Sequence, residues 1–216
     1  MKLNVLIADD HRIFRQGLRS LLEKEHDLNV AAEADNGREA VDALESTPID
    51  IAIMDIAMPG LNGIEATRKM LSMKPGLRVI GLSMHTDRRF VAEILKAGAS
   101  GFVSKDSAFE ELVAAIRTVL SGKVYLSPVA AGVVVNDYIH RGESSGANVF
   151  STLTAREREV LQLIAEGRST KQVALDLHVS VKTVETHRRQ IMEKLEIYSV
   201  AELTKYAVRE GLTTLA

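Results

Sequence analysis

The sequence predicts an α/β fold, a doubly wound five-stranded parallel sheet, followed by a small all-α four-helix helix-turn-helix domain. Residues 3–123 alternate β-type apolar runs with amphipathic helical stretches five times over, the pattern of parallel strands joined by crossover helices. Four of those runs end directly on a polar functional group: 3–8 on Asp9-Asp10, 49–54 on Asp55, 79–82 on Ser83, and 101–103 on Ser104 and Lys105. From Thr154 onward only helical periods remain, and their starts are written in capping residues.

The elements follow in order. After Asp10, the residues Ile13, Leu18, Leu21 and Leu22 give a helical face, 29–34 reads as a strand and 38–44 as a helix. The strand 49–54 leads into Met58-Pro59-Gly60, a loop by its Pro and Gly. A helix over 64–73 stops before Pro75-Gly76, and a strand follows over 79–83. A helix over 87–97 ends at Gly98, and 101–103 is a short strand. Ser107, with Glu110 three residues on, is a capping box that starts the next helix. Ser127-Pro128 opens a helix-compatible run to Arg141, and 142–148 is small, polar and without periodicity, a linker. Thr154 with Glu157, Ser169 with Gln172 and Ser199 with Glu202 are further capping boxes, and Ser180 is a plain N-cap. Gly167 ends the first of these helices, and His178-Val179-Ser180 is a turn tight enough for a helix-turn-helix. The expected domains are 1–123, a linker over 124–150 holding a short helix, and 151–216.

Composition sets limits. With 216 residues, 46% of them hydrophobic and 26% charged, the chain buries a core and is not a disordered tail. The absence of cysteine excludes disulfides and thiolate metal sites and points to a reducing, cytoplasmic setting. A formal net charge of −2 excludes a global electrostatic case for nucleic-acid binding, so any such case is local. No apolar run approaches the ~20 residues of a membrane span, so no membrane partner is expected. The N-terminal apolar run is broken by Asp9 and Asp10, unlike a signal peptide.

In an open parallel sheet, ligands bind beyond the carboxyl ends of the strands. Asp9, Asp10, Asp55, Ser83 and Lys105 would therefore converge on one rim. Three carboxylates within a few ångströms cannot all stay ionised without a cation among them. An all-oxygen set suits Mg²⁺, which keeps waters and accepts phosphate oxygens. The constellation reads as a phosphoryl-accepting site.

The second chemical signal is a helical wheel over 181–196. Val184, Ile191 and Leu195 fall on one face, and Lys182, Glu185, Thr186, Arg189 and Glu193 on the other. Such a polar stripe near a helix N-terminus can address base edges and phosphates of double-stranded DNA together. Lys171, Arg188 and Lys194 lie where they can meet phosphates. His187 falls near the inward face and reads as a partly buried structural histidine.

Asp9-Asp10, Met54-Asp-Ile-Ala-Met-Pro-Gly60, Ser83 and Lys105 resemble the receiver domain of bacterial two-component response regulators, a flavodoxin-like fold. Thr154-Ala-Arg-Glu157, Gly167-Arg-Ser-Thr-Lys-Gln-Val-Ala174 and Val181-Lys-Thr-Val-Glu-Thr-His187 resemble the LuxR-type helix-turn-helix. Together the chain is similar to regulators of the NarL/FixJ class over nearly its whole length. The resemblance implies that Asp55 accepts the phosphoryl group. It implies that Asp9, Asp10, Asp55 and the backbone carbonyl of Ala57 hold Mg²⁺. Lys105 would pair with the phosphoryl group, Ser83 would be the switch hydroxyl and Phe102 the switch aromatic. The implied partners are a sensor histidine kinase, promoter DNA contacted through Lys171, Lys182, Glu185, Thr186, Arg188 and Arg189, and a second copy of the chain when phosphorylated. RNA polymerase is a further partner the resemblance admits. Turnover of an external substrate is not expected.

Two departures stand out. Many receivers follow the lysine with a cis proline, whereas Asp106 follows Lys105 here, and a cis non-proline bond is unfavourable by ~3 kcal/mol. Ala57, two residues after Asp55, offers no polar side chain to an attacking water, and its counterpart beyond Ser83 is His85. Ala57 also counts against a haloacid-dehalogenase-type phosphatase, which needs a second Asp at that position as general acid. A regulator whose receiver is only a dimerisation scaffold would not need the intact set Asp9, Asp10, Asp55, Ser83 and Lys105.

Overall fold

The computed structural model describes residues 2–84, 88–139 and 149–213. The expected helix start at Asp87, His85, and the linker over 142–148 lie outside the described residues. The chain forms two compact units, the first drawn from residues 2–139 and the second made mainly of residues 149–213.

The first unit runs β1 (Leu3–Ala8), α1 (Arg12–Leu22), β2 (Leu28–Ala34), α2 (Gly37–Ser46), β3 (Ile51–Asp55), α3 (Gly63–Met73), β4 (Arg78–Ser83), α4 (Arg88–Lys96), β5 (Gly101–Ser104), α5 (Phe109–Leu120), β6 (Tyr125–Leu126) and α6 (Pro128–Ile139). The sheet order is β2-β1-β3-β4-β5-β6, and every pairing is parallel. Five strands were expected. The sixth is β6, whose two residues pair with Gly101 and Phe102. A run of two residues carries no readable period, so its strand character comes from the β5 edge it meets.

All five residues of β3 are buried, as in a sheet covered on both faces. One face packs Val5, Ile7, Ile53, Leu82 and Val103 against Leu18, Leu22, Leu112, Ile116 and Val119 of α1 and α5. On the opposite face a Cβ built on Gly81 would touch Ile94 of α4 and the Phe102 ring, so Phe102 lies on the α4 side of the sheet. The expected inward face of α1 needs correction. Ile13 is 88% exposed, and Phe14 takes the inward position, packed against the core.

Helix starts explain how the loops are held at the rim. Asn36 and Asn62 cap α2 and α3, the latter accepting from Glu65 N at 3.0 Å. Pro128 occupies the first turn of α6, where its missing N–H costs nothing, and Ser127 Oγ accepts from Ala130 N at 3.4 Å. The capping box expected at Ser107 does not form. α5 begins one residue later, with Ala108 at the N-cap and no side-chain cap. Ser107 N instead donates to Ser104 O in the preceding turn, and Phe109 packs against the core. No peptide bond among the described residues is cis, so Lys105 and Asp106 are joined in trans.

The second unit holds α7 (Val149–Thr152), α8 (Ala155–Ala165), α9 (Thr170–Asp176), α10 (Val181–Leu195) and α11 (Val200–Arg209), one short helix more than the four expected. The boxes Thr154–Glu157 and Ser169–Gln172 form with both of their hydrogen bonds, and Ser180 caps α10 by accepting from Thr183 N. Ser199 makes no side-chain cap, and both it and Glu202 are exposed. Gly167 takes φ of 80° just past α8, the left-handed end that glycine adopts without strain. Val160, Leu161, Val173, Val184, Ile191, Leu203 and Ala207 form one core.

The close approach that fixes Asp55 is at Gly63. Its N–H donates to Ile56 O at 2.9 Å, and a Cβ there would lie 1.9 Å from Asp55 O. Backbone meets backbone, so neither side can rotate away. Gly63→Ala is expected to lower unfolding free energy by at least the ~1–3 kcal/mol of an overpacked core, read by urea denaturation. Gly76→Ala, where a Cβ meets nothing within 4 Å, is expected to change it little. Equal effects of the two would disprove the close-approach account.

Candidate functional site

The strand order reverses between β1 and β3, and at that crevice a doubly wound sheet binds its ligand. β1 leads into Asp9 and Asp10, β3 ends in Asp55, β4 ends in Ser83 and β5 leads into Lys105. The register pairs Ala8 with Met54, Asp55 with Leu82, and Ser83 with Ser104, so the groups reach one rim because their strands end level. Lys105 N donates to Ser83 O at 2.9 Å, which ties the β4 and β5 ends together.

The charges are compact and dry. Lys105 Nζ donates to Asp55 Oδ2 at 2.7 Å and lies 2.8 Å from Asp9 Oδ2. The lysine side chain is 3% exposed, and those of Asp9 and Asp55 are 1% and 4% exposed. The Asp9 contact is an ion pair that leaves Asp9 Oδ2 without an aligned hydrogen bond, and Asp10 Oδ1 is also buried without one. Burial pushes the Asp55 carboxyl up to about 6; Lys105 pulls it down, and the neighbouring Asp9 and Asp10 charges push it up. Burial alone would lower the Lys105 ammonium, but the Asp55 and Asp9 carboxylates outweigh it and hold it above the ordinary lysine value.

Carboxylate oxygens of Asp9, Asp10 and Asp55 and a ring nitrogen of His11 all lie within 4.8 Å of one another. Oxygens converging from three carboxylates, two of them buried without a hydrogen bond, form the kind of acidic cluster that takes a hard divalent cation. His11 Nδ1 is 2.8 Å from Asp10 Oδ1, and its backbone N donates to Asp9 Oδ1 at 2.8 Å. Ala57 N approaches Asp55 Oδ1 at 3.4 Å, placing the Ala57 backbone beside the phosphoacceptor candidate. Ser83 is 4% exposed at the end of β4, and Phe102 is fully buried.

Sequence reasoning missed three contributors. Phe14 lies with its ring centroid 5.0 Å from Lys105 Nζ, and a phenylalanine on an apolar helix face otherwise reads as core alone. Gly63 shows itself only through a tertiary approach. His11 carried one weak signal, its place directly after the acidic pair.

In the second unit the wheel is realised. Val184 and Ile191 are buried, Leu195 packs partly against the core, and Lys182, Glu185, Arg189 and Glu193 are exposed. Thr186 and Arg188 are half-buried, and Thr186 Oγ1 donates to Lys182 O of its own helix at 2.9 Å. Lys171 is exposed on α9. His187 is half-buried with Nδ1 enclosed and unpartnered. Lys194 differs from expectation. Its Nζ donates to Glu157 Oε2 at 2.7 Å, so it ties α10 to the capping box of α8. Burial opposes ionisation of Glu157, yet Lys194 together with Thr154 holds its carboxyl below the usual range.

A rim of buried carboxylates and lysine on a doubly wound sheet, carried in one chain with a helix-turn-helix, defines a signal receiver joined to a DNA reader. Residues 5–117 match the response regulator receiver domain, and residues 151–207 match the bacterial regulatory proteins of the luxR family. The response regulator UvrY of Escherichia coli K12 is 35% identical, over 97% of this chain and 95% of its own. The oxygen regulatory protein NreC of Staphylococcus epidermidis RP62A is 38% identical, over 97% of this chain and 99% of its own. The solved structure of the Salmonella typhimurium response regulator RcsB matches with a TM-score of 0.60 and 26% identity, over 96% of this chain and 99% of that one. The chain belongs to the two-component response regulators, as a receiver followed by a LuxR-type DNA-binding domain of the NarL/FixJ class; it is a phosphorylation-controlled transcription regulator.

Proposed function

We propose that Asp55 accepts a phosphoryl group from a sensor histidine kinase and that the modified chain binds double-stranded promoter DNA as a homodimer in the cytoplasm. The observation that carries the reading is the buried Asp55 carboxylate, 2.7 Å from Lys105 Nζ and flanked by Asp9 and Asp10 at the sheet's switch point. Residues 1–123 would act as receiver, 124–150 as linker and 151–216 as DNA reader.

Asp9, Asp10, Asp55 and the Ala57 carbonyl would hold Mg²⁺. Bound there, Mg²⁺ neutralises charge on the transferred phosphoryl group. A carboxylate oxygen of Asp55 bonds to phosphorus as the bond to the donor's leaving group breaks and that group departs with its electron pair. The Lys105 ammonium exchanges Asp55 Oδ2 for a phosphoryl oxygen, and the Ser83 hydroxyl donates to another. Phe102, on the strand between Ser83 and Lys105, follows Ser83 and carries the change to the α4–β5 surface. The chain turns over its own phosphoryl group only, with no external substrate.

A further solved structure similar to this chain, with 26% identity and a TM-score of 0.59, holds two RcsB dimers bound to two parallel DNAs. That supports a homodimer here, with two copies of α10 reading half-sites about one helical turn apart. Lys182, Glu185, Thr186 and Arg189 would address bases and phosphates, with Lys171 and Arg188 on phosphates. RNA polymerase would be met at the promoter.

Two experiments test the halves separately. Acetyl phosphate with Mg²⁺ is expected to add one phosphoryl group to the wild type and none to Asp55→Asn by intact-protein mass spectrometry; equal modification of both removes Asp55 from the role. Arg189→Ala is expected to cost ~1–3 kcal/mol on a specific site and to relax preference at one base position. Lys171→Ala should weaken specific and scrambled DNA alike, with a shallower salt dependence. If Arg189→Ala weakens both DNAs equally, the exposed stripe of α10 is a backbone contact.

A further inference from the structure

Lys105 must be mobile enough to transfer from Asp55 to a phosphoryl oxygen, yet its ammonium is buried. Two faces of that ammonium are taken by Asp55 Oδ2 at 2.7 Å and Asp9 Oδ2 at 2.8 Å. On a third side lies the Phe14 ring, its centroid 5.0 Å from Nζ, within the range of a cation–π contact. Phe14 and Lys105 border one cleft of about 170 Å³, with Leu18, Leu82, Val103 and Phe109 around it. The ring thus gives the ammonium an apolar neighbour beside its two carboxylate partners. Phe14 comes from the first turn and a half of α1, an element that supplies none of the acidic groups.

We propose that Phe14 is a positioning residue for phosphoryl transfer, holding the Lys105 ammonium through the negative face of its ring. The proposal rests on Asp55 as the phosphoacceptor. When a carboxylate oxygen of Asp55 bonds to phosphorus, the phosphorus–oxygen bond to the acetyl group breaks and acetate leaves with its electron pair, and the Asp55 charge that held Lys105 is redistributed over the phosphoryl oxygens. The ring contact persists through that exchange. It keeps the ammonium within reach of those oxygens and keeps water off its free side, where a low local dielectric preserves the attraction. A ring of the same size without its negative face would fill the same space and lose this hold.

That distinction gives the test. In the full-length chain, position 14 is filled in turn by phenylalanine, its mono-, di- and pentafluorinated analogues, and leucine. Fluorination drains the ring's negative face with little change of shape. The first-order rate of phosphoryl uptake from saturating acetyl phosphate with Mg²⁺ is measured beside the thermal midpoint and the ring-current shift of the Lys105 ammonium protons. The rate is expected to fall stepwise with fluorination, on the order of fivefold at the pentafluoro ring and in Phe14→Leu, while the thermal midpoint of the fluorinated series holds. The ammonium shift should be present with phenylalanine and lost with leucine. A wild type that takes up phosphoryl while the fluorinated series shows one constant rate overturns the role of Phe14, as does a rate that falls only in step with the thermal midpoint. A wild type that takes up none overturns the Asp55 reading itself, and the proposal with it.

Discussion

The buried ion pair of Lys105 with Asp55 and Asp9 is the constraint around which the receiver is arranged. Three strands must end level for the pair to exist, and the backbone bond from Lys105 N to Ser83 O adds the fourth. Two carboxylates and one ammonium at contact distance in a dry site have no solvent to share the charge. The pair lowers the cost of burying Asp55 without cancelling it, and the Asp55 carboxyl remains displaced up to about 6. A group held in that condition responds strongly to any change of charge beside it. A cation among the acidic oxygens, or a phosphoryl group on Asp55, is such a change. The fold thus stores responsiveness as imperfect charge compensation at one rim.

The supports of this pair come from elements that carry no charge in it. Gly63 lets the start of α3 close onto the Asp55 carbonyl, which fixes where the β3 strand ends. Phe14 sets an aromatic ring against the ammonium, its centroid 5.0 Å from Lys105 Nζ. The DNA-reading unit shows the same economy. Lys194 and Glu157 join α10 to the start of α8 by one half-buried pair, so the exposed stripe of α10 is presented from a helix locked at its far end.

The strands and the acidic rim were legible because each apolar run ends on a polar residue, and a parallel sheet gathers strand ends. The reading stripe of α10 was legible because a fifteen-residue helix displays its period clearly. Where the reading failed, local pattern competed with tertiary packing. Ser107 with Glu110 has the letters of a capping box, but the turn to Ser104 and the packing of Phe109 set the helix start at the next residue. Ile13 and Phe14 are adjacent apolar residues, and periodicity alone could not assign which turns inward. Strand β6 is too short to show a period, and Gly63 and Phe14 act through contacts distant in sequence, which no spacing encodes.

The central claim is that Asp55 and Lys105 form one energetic unit in the unphosphorylated receiver. A double-mutant cycle of Asp55→Asn and Lys105→Met, measured by urea unfolding without divalent ions, addresses it directly. The account predicts strong non-additivity, with a coupling of ~1–3 kcal/mol, because each single change leaves the other charge buried with less compensation. Additive effects would show that the two side chains are near each other without being coupled, and would contradict the account.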